Sequence, residues 1–105
     1  MTNDENIVLF ARLKVKKDAV EQAKQAALAI IEDSRREKGC VNYDFHQAID
    51  DETVFMWHET WKNKAAIDAH GASKHFNIFS GQIKDLVEET LQITLTKLVG
   101  EKAAE

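Results

Sequence analysis

The hydrophobic period changes along the chain in a fixed order, and that order restricts the fold more than any single motif does. Residues 7–17, "IVLFARLKVKK", alternate, with Ile7, Leu9, Ala11, Leu13 and Val15 on one side, which reads as a strand. Val8 and Phe10 make the other side apolar too, before Arg12, Lys14 and Lys16 turn it polar. The first end of this strand therefore expects cover on both faces. A helical period follows. Asp18 with Glu21 reads as an N-cap and its capping-box partner. Val20, Ala23, Ala27, Ile30, Ile31 and Ser34 then recur at helical spacing, and Gly39 ends the run as a C′ residue, so the pattern predicts one helix of about five turns.

"CVNYDFHQA" returns to alternation, with Val41, Tyr43 and Phe45 on one face and Asn42, Asp44 and His46 on the other. "IDDE" is a turn signal made from acids. In "TVFMWHETW" the residues Thr53, Phe55, Trp57, Glu59 and Trp61 share one face, while Val54, Met56, His58 and Thr60 share the other. Asn63 is placed to cap a short helix through His70, broken by Gly71; Ser73 is placed to cap another that reaches about Glu88 with Phe76, Phe79, Ile83 and Leu86 as its stripe. "TLQITLTKLV" closes the pattern with Leu91, Ile93 and Leu95 alternating against Gln92, Thr94 and Thr96, and "GEKAAE" reads as a frayed tail.

The order strand, helix, strand, strand, helices, strand is the split βαβ, ferredoxin-like α+β arrangement: a βαββαβ chain with a four-stranded antiparallel sheet and helices on one face. The opposite face would carry Val8, Phe10, Val54 and Met56, which is too apolar to leave wet. A second subunit's sheet would cover it, so the pattern predicts a homodimer through the outer sheet face.

A chain of 105 residues fits one domain over 1–105, with its core at about 7–99. The formal charge of -4 argues against a phosphate-binding surface, and the basic clusters Lys14/Lys16/Lys17 and Arg35/Arg36/Lys38 are interrupted by or adjacent to acids. No nucleic-acid partner is expected. Cys40 is the single cysteine, so no intrachain disulfide forms and a reducing compartment is expected. The first ten residues lack a signal-peptide pattern, and no apolar run approaches the ~20 residues of a membrane helix. The expected setting is cytoplasmic, with no membrane partner.

The stretch "WHETWKNKAAIDAHGASKHF" holds both tryptophans and three of the four histidines. Zinc needs three or four converging ligands. The spacing H-x11-H-x4-H matches no helical pair or finger, and strand parity turns His58 away from the side of Trp57 and Trp61. No metal site is expected, and Cys40 reads as buried and inert. Trp57 reads as core. Glu59 stands between two indoles and needs either water at a strand end or a partner such as His70, His75 or a backbone amide. A break at "GAS" could aim His70 and His75 into a common cleft, with Tyr43 on the adjacent strand supplying a hydroxyl to it or merely packing. The alternative is that both histidines are surface residues near helix ends.

"EKGCVNYDF" followed by "HETWKNKAAIDAHGASKHF" resembles the antibiotic biosynthesis monooxygenase (ABM) domain, particularly its quinol-monooxygenase-like branch. The matching residues are Glu37, Gly39 and Cys40, then Glu59 and Trp61, then His70, His75 and Phe76. The resemblance implies a dimeric α/β barrel with a pocket between sheet and helices in each subunit. It further implies oxidation of a phenolic or quinol-like small molecule by O2 without flavin, metal or haem, so no cofactor is expected. His75 or His70 would be the base and Tyr43 a hydrogen-bonding group, with Trp61, Glu59, Phe76, Phe79 and Ala11 at the substrate. The haem-degrading branch carries an Asn where this chain has Ala11 and a His near Ser80, so haem is not the expected ligand. Two other readings stand beside this one: an isomerase of a small phosphorylated carbonyl compound, for which Lys74 or Arg12 would have to serve the phosphate, and a non-catalytic module that binds a small ligand.

Overall fold

The alternating segments form four strands in a computed structural model, which describes residues 6–100. They are β1 (Ile7–Val15), β2 (Cys40–Gln47), β3 (Val54–Trp61) and β4 (Val87–Thr96), joined by α1 (Val20–Leu28), α2 (Ile31–Arg35), α3 (Lys64–Gly71) and α4 (Lys74–Ile83). The sheet order is β2-β3-β1-β4, antiparallel at every pairing, which is the ferredoxin-like topology. Register sets rows across the sheet. Tyr43, Glu59, Leu9 and Leu95 make one row, and Phe45, Trp57, Ala11 and Ile93 make the next. Because these rows face the helices, Leu9, Ala11, Tyr43 and Trp57 join the core with Leu13, Val15, Ala23, Ala27, Phe55, Phe79 and Ile83, and Phe45 packs against it.

The first helical stretch departs from the expected single helix. A 3-10 turn over Lys17–Ala19 precedes α1, and neither Asp18 nor any other side chain caps α1, whose N-cap is Ala19. The turn is closed by Ala19 N–H donating to the Lys16 carbonyl at 2.9 Å, which places Asp18 inside the turn instead of ahead of the helix. The helix then breaks at Ala29–Ile30, so that α2 lies along β2. There Arg35 Nε donates to the Tyr43 carbonyl at 3.0 Å and Nη2 reaches Asp44 at 3.1 Å. Gly39 is no left-handed cap, since Gly100 alone has positive φ among the described residues. Its role is close approach: a Cβ there would lie 2.3 Å from Ala66 Cβ.

The two short helices begin where expected. Asn63 Oδ1 accepts from Ala66 N–H at 2.9 Å, and Ser73 Oγ accepts from Phe76 N–H at 3.2 Å. The second ends at Ile83 and not near Glu88, because Val87 already pairs with Val15 in the sheet. The acidic turn holds through Asp51, whose Oδ1 accepts from Thr53 N–H (3.0 Å) and Thr53 Oγ1 (2.6 Å). Those bonds and the Lys14 ammonium hold the Asp51 carboxyl down at about 2.

On the outer face Phe10 is 45% exposed and Met56 41%, and the Phe10 ring lies 5.2 Å from that of His58. Val54 was expected beside them but is buried. Lys14 stands opposite it and reaches Asp51 and Thr53 across that strand end. Val41 is exposed and not part of the core face, because the β2–β3 register shifts between Cys40 and Asn42. The expected frayed tail lies mostly outside the described residues. Among the described residues no helix is long and apolar enough to cross a membrane.

Candidate functional site

Between the sheet and α3/α4 lies a cavity of about 410 Å³. Its wall is mostly apolar: Leu9, Ala11 and Trp57 from β1 and β3, Phe76 and Phe79 from α4, Ile67 from α3, and Leu91, Ile93 and Leu95 from β4. Ile93 and Leu95 are 52% and 43% exposed although they face the same side as the buried row, so the cavity opens along β4. Three polar side chains, Tyr43, Glu59 and His70, line it.

Neighbours behind the cavity wall, Trp61 and Glu37, act on Glu59 and His70. Glu59 is buried, and Oε1 accepts from Trp61 Nε1 at 2.8 Å. Burial pushes the Glu59 carboxyl up to about 7; the indole N–H pulls it down and the Glu37 charge adds to the rise. At neutral pH this carboxyl is therefore poised between acid and base. His70 sits in the last turn of α3 with its ring 4.8 Å from Trp61 and 5.2 Å from Phe76. Its Nδ1 is 2.7 Å from Glu37 Oε2, a length typical of a charge-assisted hydrogen bond. A carboxylate can only accept, so Nδ1 donates and neutral His70 leaves Nε2 as its basic atom. Burial lowers the His70 pKa below the ordinary histidine value, against the opposing pull of Glu37. The fully buried side-chain polar atoms without a partner, among the described residues, are Ser34 Oγ and Trp57 Nε1. His70 Nε2 and Glu59 Oε2 are not among them, and both side chains line the cavity.

Tyr43 is held protonated. Burial and the Glu59 carboxylate raise its hydroxyl well above the ordinary phenol value, and Ser34 and Trp57 are the polar side chains beside it. Cys40 is half-buried and not fully buried, and its thiol is pushed up to about 11 by burial and by Glu37 and Glu59. It stays a thiol at neutral pH.

Of the residues singled out by sequence, His70, Tyr43, Glu59, Phe76, Phe79 and Ala11 line the cavity together. Trp61 and His75 do not. Trp61, expected as a wall, is 0% exposed and stands behind Glu59 and His70, while Trp57, expected as plain core, is buried and also part of the wall. Glu59 was expected either to meet water at a strand end or to pair with His70, His75 or a backbone amide; it is buried and its partner is the Trp61 indole. The histidines pair instead with Glu37, whose Oε2 also lies 2.6 Å from His75 Nε2. Glu37 stands in the motif "EKGC" without any local signal that it would meet two histidines over thirty residues away. His58 is on the other sheet face, as parity requires. Glu37, His70 and His75 nevertheless bring three donor atoms within 4.8 Å of one another, a convergence the histidine spacing had argued against.

A ferredoxin-like sheet that keeps an apolar cavity beneath its helices, with a histidine and a raised carboxyl on its wall, defines a small-molecule-binding α+β domain. More particularly, the chain belongs to the antibiotic biosynthesis monooxygenase family, whose model matches residues 6–81. A Bacillus subtilis protein named "Putative monooxygenase YcnE" is 34% identical over 92 residues, covering 88% of this chain and 97% of its own. An uncharacterised Synechocystis protein, sll1783, is 33% identical over 90% of this chain, which spans 65% of that relative's length. Among solved structures, PA3566 from Pseudomonas aeruginosa superposes with a TM-score of 0.89 at 26% identity, covering 95% of this chain and 100% of its own. An antibiotic biosynthesis monooxygenase-like protein from Nitrosomonas europaea gives 0.87 at 25% identity, covering 94% and 95%.

Proposed function

We propose that the protein is a monooxygenase that oxidises a phenolic or quinol-like small molecule with O2, using no flavin, metal or haem. The observation that carries this reading is His70: a neutral imidazole, tied at Nδ1 to Glu37, on the wall of an otherwise largely apolar cavity. A phenolic hydroxyl gives its proton to Nε2, and Glu37 stabilises the imidazolium that forms. The apolar wall holds the resulting anion away from water, so its electrons are available to O2. For an activated methylene on such a ring, one oxygen atom replaces two hydrogens, which leave with the other oxygen as water. No external reductant is required. Glu59, when protonated, donates a hydrogen bond to charge developing on substrate oxygen. Tyr43 serves as a neutral donor or as packing.

The lining favours this over isomerisation of a phosphorylated carbonyl compound, since no Lys or Arg is among the lining residues to meet a phosphate. A homodimer through the outer face belongs to the same reading, supported by the exposed Phe10 and Met56. Light scattering at micromolar concentration tests it: a dimer is expected, and a monomer overturns that part. Oxygen consumption over a panel of benzo- and naphthohydroquinones and anthrones tests the chemistry. Uptake that survives His58→Ala but not His70→Phe is expected. Tight binding without uptake by any compound would leave a ligand-binding module instead.

A further inference from the structure

His70, His75 and Glu37 converge from three parts of the chain, and local contacts hold each of them in place. His70 lies in the last turn of α3 and His75 in the first turn of α4. Ser73 locks the turn between them: its Oγ donates to the His70 carbonyl at 2.6 Å and accepts from Phe76 N–H at 3.2 Å. Glu37 comes from the loop ahead of β2. That loop is pressed against α3 where Gly39 meets Ala66, and Lys62 N–H donates to the Gly39 carbonyl at 2.9 Å. His70 Nδ1, His75 Nε2 and a Glu37 carboxylate oxygen thereby lie within 4.8 Å of one another, on side chains 8%, 18% and 16% exposed.

Two imidazole nitrogens and one carboxylate oxygen, with a fourth position open to water, suit Zn2+ and its divalent transition-metal neighbours. In the metal-free chain both nitrogens carry protons and donate to Glu37 Oε2, at 2.7 and 2.6 Å. Ligands about 2.0–2.1 Å from tetrahedral zinc stand roughly 3.4 Å apart, so each of these pairs has to open by about 0.7 Å. Glu37 lies on a loop and lines a surface depression with Lys38, Gly39, Lys62 and Asn63, which gives its side chain room to turn and the ion a way in. The two lysines there oppose a cation, so binding is weaker than at a structural zinc site and reversible.

We propose that Glu37, His70 and His75 form a binding site for a zinc-class divalent cation, and that the bound cation switches off His70 as a base. The switch is a change of tautomer. Zinc on Nδ1 displaces the proton held there, and neutral His70 then carries its single proton on Nε2. His75 likewise moves its proton from Nε2 to Nδ1. Each imidazole loses one proton and gains one, so the net proton change is zero and nothing is oxidised. Nε2 of His70, now N–H, accepts nothing from a phenol, and Glu37 is taken up by the metal. Neither Glu37 nor His75 lines the cavity, so the ion stands behind the wall and takes no part in oxidation.

The site is tested without substrate; only the inhibition rests on the proposed oxidation. Zinc chloride titrated into the full chain in a calorimeter is expected to bind at one ion per chain. Glu37→Gln and His75→Gln are expected to weaken binding by ~10-fold or more, the least that loss of even an indirect partner costs a metal site. His46→Ala and His58→Ala are expected to leave it unchanged. Imidazole 15N NMR of the wild-type chain, which depends on no variant folding, is expected to show the His70 proton move from Nδ1 to Nε2 as zinc is added. Oxygen uptake is expected to stop at saturating zinc and return with a chelator. No saturable binding, undiminished binding in Glu37→Gln and His75→Gln, or a His70 proton that stays on Nδ1 would overturn the site. Uptake unchanged by bound zinc would overturn the switch. Binding with the tautomer change, but no uptake from any hydroquinone, would support the site and sink the oxidation reading instead.

Discussion

The space between sheet and helices has two ends built on the same strands, and they are made of different material. Under α1 the row of Leu13, Val15 and Phe55 meets Ala23, Ala27 and Ile83, all buried and none able to titrate. Under α3 and α4, two to four residues further along β3 and β1, the row holds Glu59, with Trp61, Tyr43 and His70 around it and empty volume in front. The first end is close-packed as a core should be. The second keeps a cavity, a buried carboxyl and a buried imidazole, each costly to fold around. The difference teaches where stability is made and where it is given up. On the proposed function, a site that holds an anion and takes its proton needs polar groups in a low-dielectric space, and the close-packed end offsets that cost.

Substitutions at the two ends should therefore separate cleanly. The largest effect on stability is expected at the dry end. Phe55→Ala, which empties a fully buried ring site, should cost about 3–5 kcal/mol in denaturant unfolding. A loss below about 1 kcal/mol would mean the dry end is not the stabilising one. At the wet end His70→Phe should leave the melting temperature nearly unchanged while lowering substrate oxidation by about 10²–10⁴-fold. Parallel loss of folding and activity would erase the distinction between the ends.

The pH dependence sharpens the comparison further. Folded Glu59 holds its proton more tightly than unfolded Glu does, so stability is lost as pH rises from about 4.5 through about 7. A rise of that size amounts to about 3 kcal/mol. His70 acts in the opposite sense: the unfolded chain takes the proton more readily, so stability is lost as pH falls below 6.5 through the lowered folded value. Between about pH 6.5 and about 7 the Glu59 slope acts without that of His70. Glu59→Gln, which keeps an oxygen for the Trp61 N–H, should flatten that slope and be the more stable protein at pH 8. An unchanged slope would place the carboxyl in contact with water. Gly39→Ala should cost about 1–3 kcal/mol, because the new methyl meets Ala66. The smallest effect expected is from Asn63→Ala, about 1 kcal/mol for the lost α3 cap.

Period and capping made most of the fold legible before any coordinates. Strand parity correctly set Phe55, Trp57, Glu59 and Trp61 on one face and His58 on the other. The caps at Asn63 and Ser73 are local events between near neighbours, and they were readable for that reason. The break at Ala29–Ile30 was not, since it follows from α2 docking on β2 through Arg35, a contact that a helical period does not encode. The cavity lining was legible in part, and its arrangement was not. His70, Glu59 and Tyr43 line the cavity, but which indole faces it depends on where the helices lie over the sheet. Glu37 became visible as a partner only when its loop was brought against α3 and α4.

The central claim is that the cavity takes a phenol and removes its proton at His70. The near-UV absorption of 1-naphthol bound to the protein at pH 7 reports this directly, because naphthol and naphtholate absorb at different wavelengths. The account predicts the naphtholate band in the wild-type chain and in His58→Ala, and its loss in His70→Phe with binding retained. A bound naphthol that keeps its neutral spectrum, or ionises equally in His70→Phe, would contradict it.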